Sequence, residues 1–301
     1  MKKSCVLGCL GVSLVSMGCG ERIKSGEGYE LSEVENPGES LDDVDAEEED
    51  EDTGSADAED SEDDPEPPEP EEEPLDERTF GQKLVVSTLM PGVWDSDNYE
   101  EVKTISYLLV HWVRDGNEVT WTEELCDISS TEAHGTQTSF PAAFVASMPI
   151  REHEAVLSAA EVGADFDTER FVNIDGVALS NPSTESLPTS SSDGRLRDQD
   201  SDGNPGVTIH VDAGIVAGDV YVAQRSVFQI SGVVVAQDRI EAYVDYDADQ
   251  SILGASNPFL TMAEVTPIPN PDPTTSYIIF QQVDDASDCG DIKRDQDILF
   301  E

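Results

Sequence analysis

The stretch Thr104-Ile-Ser-Tyr-Leu-Leu-Val-His-Trp-Val-Arg114, then Asp115-Gly116-Asn117, then Glu118-Val-Thr-Trp-Thr122, decides the fold class. Branched and aromatic residues fill the first run and suit a pleated, half-buried surface. The second run alternates polar and apolar, so its valine and tryptophan fall on one face. Two such runs around a short Asp-Gly turn predict a β-hairpin. Working outward, similar runs occur at Lys83–Met90, Ala155–Ser158, Arg170–Ile174, Val207–Val211, Asp219–Ala223, Ser226–Ile230, Val233–Ala236, Arg239–Tyr246 and Tyr277–Val283. Pro and Gly punctuate them, among others Pro141, Pro149, Gly163, Gly176, Gly232 and Gly254. Only Glu152–Val162, with Ala155, Val156, Ala159, Ala160 and Val162 apolar, also fits a helix. About ten strands and little helix predict an all-β domain over residues 80–301. An antiparallel barrel of the lipocalin-like kind is the first expectation and a β-sandwich the second. Residues 180–206, rich in Ser, Thr, Asp and Gly, are expected to form a long loop.

Charge is distributed very unevenly. The chain carries 66 Asp and Glu against 16 Lys and Arg, a net −50. Between Glu27 and Glu77 there are 27 acids and no Lys or Arg. That tract has almost no aromatic or branched apolar residues. It therefore lacks the surface whose burial would offset the entropy of ordering, and is expected to be a disordered linker within residues 19–79. Like charges and prolines extend it, to about 200 Å at full stretch. Such acidity argues against nucleic acid as a partner, because a phosphate backbone is held by clustered Lys and Arg. A basic protein or a divalent cation stays open as a partner, and for the β-domain an envelope protein or a small apolar or carbohydrate ligand.

The N-terminus has its own signature. Met1-Lys2-Lys3 is basic, Ser4 to Gly18 is uncharged, and Cys19 follows a small residue. Residues 1–18 thus read as an export signal. With Cys19 directly after Gly18, they resemble a bacterial lipoprotein signal. That resemblance implies cleavage before Cys19, lipidation of its thiol, and a palmitate-type anchor in the cell envelope, at the outer membrane. The family's box usually has an aliphatic residue three positions before the cysteine, where this chain has Ser16. Ordinary secretory cleavage after Ser16-Met17-Gly18 is the rival reading. The uncharged run is shorter than the ~20 residues that span a bilayer.

Cysteine use follows from export. Cys5 and Cys9 leave with the signal, and if Cys19 is acylated only Cys126 and Cys289 remain. In an oxidising compartment these two are expected to pair and fasten the chain end to the early strands. Two unpaired buried thiols are the alternative.

The sharpest local motif is Asp198-Gln199-Asp200-Ser201-Asp202-Gly203-Asn204-Pro205-Gly206. Three carboxylates at alternate positions before a glycine resemble the first half of calcium loops of the EF-hand, dockerin and thrombospondin-repeat kind. Calcium takes six to eight oxygens from a flexible loop, and the glycine permits the sharp turn. The resemblance implies Asp198, Asp200 and Asp202 as side-chain ligands and Asn204 as a fourth. Pro205 and Ile209 depart from the EF-hand pattern at its eighth and twelfth positions, so a further ligand such as Asp193 or Asp212 is required. The plain alternative is a set of Asp-capped turns. Asp245, Asp247 and Asp249 repeat the spacing without a glycine and read as one face of a strand.

The Asp-x-Asp-x-Asp-Gly-Asn-Pro-Gly loop resembles that of lipoproteins of myxobacteria and related deltaproteobacteria. So does the combination of signal, acidic linker, and a cysteine ahead of Phe144 to Pro149. The likeness covers most of residues 80–301 and implies architecture without an activity. Nothing in the chain reads as a catalytic constellation. His111, His134, His153 and His210 form no metal-ligand pair, and there is no Gly-x-Ser-x-Gly elbow, phosphate loop or dinucleotide fingerprint. A non-enzymatic envelope lipoprotein with a binding or structural β-domain is the first expectation. A β-barrel hydrolase or carbohydrate-active enzyme built on carboxylates is the second.

Overall fold

The computed structural model describes residues 76–92, 97–261 and 267–301. Cys19, the signal segment and residues 19–75 of the acidic tract lie outside the described residues. Fifteen elements follow in chain order. They are β1 (Asp76–Pro91), β2 (Tyr99–Asp115), β3 (Glu118–Ser130), β4 (Gln137–Ser139), α1 (Ala142–Ser147), β5 (Arg151–Leu157), β6 (Asp165–Asp167) and β7 (Phe171–Asp175). After a long loop come β8 (Val207–Asp212), β9 (Ala217–Ala236), β10 (Arg239–Ala255), a 3-10 turn (Pro258–Thr261), β11 (Ile268–Pro269), β12 (Tyr277–Gln282) and α2 (Cys289–Leu299).

All the strand pairings are antiparallel, and the sheet closes on itself. Around the ring β1, β2, β3, β5, β6, β9, β10 and β12 follow one another in chain order, and β12 returns to β1. The domain is therefore an eight-stranded up-and-down ring, the barrel rather than the sandwich of the two expectations. The ring is thin at β6, which gives three residues to β9 and two to β5. Further along β9 the same edge is taken by β7 and then β8, with β4 beyond β8.

The hairpin that decides the fold class is β2–β3. Asp115 pairs with Glu118, which leaves Gly116 and Asn117 as a two-residue loop with φ +60° at the glycine. That is the demand a tight hairpin makes on its first loop residue. The three short runs expected between Asp219 and Ala236 are one strand, β9, twenty residues long. Glu152–Val162 supplies no helix. Its first part is β5, where His153, Ala155 and Leu157 alternate inward with exposed neighbours.

One end of the ring is filled with aromatic rings. Phe80, Trp112, Trp121, Phe166 and Phe280 come from five strands and meet at centroid distances of 5.3–6.5 Å. Contacts of this kind add about 0.5–1.5 kcal/mol per pair beyond area burial. Moving along the inward positions of β1, Phe80 gives way to Gln82, Leu84 and Val86, and the interior changes from solid core to cavity.

A helix absent from the sequence reading lies on the outer wall. Cys126 and Cys289 are joined, with Cα atoms 5.0 Å apart, and this bond fastens α2 beside β2 and β3. Cys126 sits at a bulge, since Tyr107 pairs with Asp127 and Leu108 with Leu125. It is buried with Leu109 and Ile292. Gly81 lets the helix approach, because a Cβ there would stand 3.0 Å from Ile292. Asp288 caps α2 by accepting from Gly290 and Asp291, and the Asp291 carboxylate accepts in turn from the Asp288 amide. Among the described residues no helix is long and apolar enough to cross a membrane.

Candidate functional site

The ring encloses a cavity of about 170 Å³ at the end opposite the aromatic plug. Its apolar wall comes from Leu84, Val86, Leu108, Leu125 and Phe228, each on a ring strand. Phe140, Phe144 and Met148, in and around α1, close one side. Polar groups enter at inward positions of the same strands: Ser106, Glu123, Gln224, Ser226, Tyr246 and Gln250. Arg151 at the start of β5 and Asp175 at the end of β7 complete it.

Most of these polar groups satisfy one another. Glu123 accepts from Gln82 Nε2 at 3.3 Å through Oε2, and its Oε1 lies 3.1 Å from His153 Nε2. Burial pushes its carboxyl up, but the neighbouring His153, Arg151 and Gln82 outweigh it and hold the carboxyl below its ordinary range. Arg151 donates to Asp175 at 2.6 Å, with both side chains mostly buried. Gln224 donates to Ser226 Oγ at 2.8 Å. Burial pushes the Tyr246 hydroxyl up to about 12, aided by the nearby charges of Asp247 and Asp175 and opposed by Ser226. Gln250 differs: it is 5 % exposed, and neither its amide nitrogen nor its amide oxygen meets a hydrogen-bonding group of the protein.

The acidic loop is tied to the ends of α1 and β7 by Gln199, whose amide nitrogen donates to the Ser147 carbonyl at 3.4 Å and to Asp175 at 3.3 Å. Asp198, Asp200 and Asp202 each bring an oxygen within 4.8 Å of the others. Oxygens 2.3–2.6 Å from a shared calcium lie at most about 5 Å apart, so the spacing fits one ion. Asp198 accepts from the Asp202 and Gly203 amides at 3.0 and 3.1 Å. Asp202 accepts from Thr208 Oγ1 at 2.6 Å and from the Asn204 side chain at 2.9 Å. Asp200 accepts from the Thr208 amide through Oδ2, while its buried Oδ1 has no hydrogen-bonding partner in the protein. Burial and the charges of Asp202 and Asp198 push the Asp200 carboxyl above its ordinary range. Burial also raises Asp202, but Thr208 and Asn204 overcome it and hold that carboxyl low.

Of the further ligands the sequence required, Asp193 is committed elsewhere. Hydrogen bonds from Arg195 hold its carboxyl down at about 2. Asp212 accepts from the Gly214 amide. Asp249, one of the alternating aspartates read as a strand face, lies in β10 and pairs with Arg225 at 2.7 Å.

The loop is fixed to the barrel at two kinds of point. Gly206 and Gly176 have φ of +93° and +74°, and a Cβ on either would run into the Val222 carbonyl. Gln199, between the first two aspartates, accepts from the Gly176 amide at 2.7 Å and donates to Asp175 at 3.3 Å. Asp175 is a cavity residue, so one side chain spans from the loop to the cavity wall.

Sequence reading found the loop and missed the cavity residues. The available signal was polar residues at alternate positions of apolar strands, Gln224 and Ser226 in β9 and Tyr246 and Gln250 in β10. Compared with protein-family models, with curated proteins and with solved structures, the chain matches none.

Proposed function

We propose that residues 76–301 form a non-enzymatic binding domain that takes a small molecule into the barrel, held at a bacterial cell envelope by a lipid on Cys19 and the acidic linker. The cavity carries this reading. A volume of about 170 Å³ lined by both aromatic and amide groups suits a ligand with an apolar body and a polar edge. Glu123 does not suit the part of a glycosidase's general acid. A glycosidase acid needs a raised pKa, whereas this carboxyl is lowered and tied to His153 and Gln82. In the test, phenol is titrated into the purified protein and thermal unfolding is followed. Phenol is expected to raise Tm, and Ala248→Leu, which fills part of the cavity while keeping the β-sheet circular dichroism, is expected to remove the rise. A phenol effect that survives in Ala248→Leu would place the binding elsewhere.

A second, independent site is supported by Asp200. A buried carboxylate oxygen with two anionic neighbours and no donor is suited to a cation. We propose that Asp198, Asp200 and Asp202 hold calcium. Asn204, whose amide nitrogen serves Asp202, leaves its side-chain oxygen and carbonyl for the ion. With few protein ligands, affinity is expected near the weak extracellular range of ~10⁻³ M. Calcium at about 10 mM then stabilises by about 1.4 kcal/mol, a rise of about 3–5 °C in Tm. Asp200→Asn is expected to abolish that rise without lowering Tm in EDTA, because it also relieves the repulsion. An equal rise in both proteins would leave the loop as capped turns only.

The envelope assignment rests on Cys19 and has its own check. Mass spectrometry of the mature N-terminus is expected to find Cys19 acylated. A free thiol and amine there would remove the lipid anchor and leave the secretory reading.

A further inference from the structure

Gln250 narrows the chemistry of the cavity. Its primary amide is buried on the inner face of β10, with both the donor and the acceptor end unmatched by the protein. Gln224 is its pairing neighbour across the ladder and gives its own amide to Ser226, so it does not serve Gln250. Arg151 is already paired with Asp175, and the Glu123 carboxylate is taken up by Gln82 and lies against His153. A carboxylate entering here would lose its hydration and find no spare positive charge, because Arg151 is held by Asp175. A neutral group with an adjacent donor and acceptor would satisfy both ends of Gln250 at once. The volume is close to that of an engineered cavity of about 150 Å³ that accepts benzene, which limits the ligand to roughly six to ten non-hydrogen atoms.

Resting on the binding reading above, we propose that the ligand class is a small neutral carboxamide, or a lactam ring presenting the same edge, on a compact apolar body. The ligand N–H donates to Gln250 Oε1, and Gln250 Nε2 donates to the ligand carbonyl. The apolar body lies against Val86, Phe144 and Phe228. Such a pair of bonds selects strongly, because a ligand that lacks either half leaves a buried polar atom unmet.

The test compares benzamide, toluene, benzoate and N,N-dimethylbenzamide on the purified protein by ligand-detected NMR titration. Benzamide is expected to bind at least about tenfold tighter than each of the other three. In Gln250→Leu the preference is expected to invert, with toluene bound at least as tightly as benzamide. Equal affinity for benzamide and toluene in the unaltered protein would overturn the ligand class while leaving the cavity a binding site. So would benzamide bound no tighter than its dimethyl derivative, a comparison that needs no variant. Failure of all four, toluene included, would overturn the binding reading itself.

Discussion

Gln250 and Glu123 lie inside the same barrel under opposite conditions. A buried amide without a partner costs about 1–3 kcal/mol, whereas the Glu123 carboxylate has a donor in Gln82 and the His153 ring beside it. Glu123 therefore gives a pH signature with a definite sign. Its folded pKa lies below the ordinary 4.5, so its stabilising contribution is complete above about 4.5 and is lost as pH falls through the lowered folded value. Chemical denaturation between pH 7 and 3 is expected to show a loss of stability beginning below about pH 4.5 that is smaller in Glu123→Gln. An unchanged acid limb in that variant would show that the Glu123–His153–Gln82 cluster adds nothing to acid stability. None of these inward polar residues was assigned a role from sequence. Gln224, Ser226, Tyr246 and Gln250 interrupt the apolar alternation of their strands, and an interruption reads as a strand end unless the strand is known to line a hollow.

At the level of elements the legible parts were those with local signals. The β2–β3 hairpin has its turn and its alternation in one short stretch. The acidic loop has its spacing, and the structure brings Asp198, Asp200 and Asp202 together. β9 reads from sequence as three runs because Gln224-Arg225 and Gly232 resemble breaks, although the strand is paired along its length by β10. α2 gave almost no signal. Ile292 and Leu299 are its apolar contacts on the barrel, and its position depends on the bond from Cys289 to Cys126 and on the Asp288 cap. A helix fastened in this way is expected to loosen first. Cys126→Ala with Cys289→Ala is expected to cost about 2–5 kcal/mol and to speed amide exchange across Cys289–Leu299 ahead of the barrel strands. Exchange that rises equally in β9 and β10 would instead make the disulfide a support of the whole ring. Gln199 sets a relation between elements of another kind. It joins the acidic loop to Asp175, so a rigid loop and a fixed cavity wall are parts of one connection.

For the whole molecule, the all-β class and antiparallel order were readable because β-formers and turn residues recur at short intervals from Lys83 to Val283. The closing of the ring was not readable. It depends on β12 lying between β10 and β1, a pairing across nearly two hundred residues with no local trace. The hollow follows from that closure: eight strands leave an interior that side chains fill at the aromatic end and leave open where Ser106, Ala248 and Gln224 are small or polar. The central claim is that this hollow receives the ligand, and isotope-filtered NMR with benzamide tests it most directly. The account expects intermolecular NOEs from benzamide to the side chains of Val86, Phe228 and Gln250. NOEs confined to outer-face residues such as Tyr243 and Ile298 would contradict it.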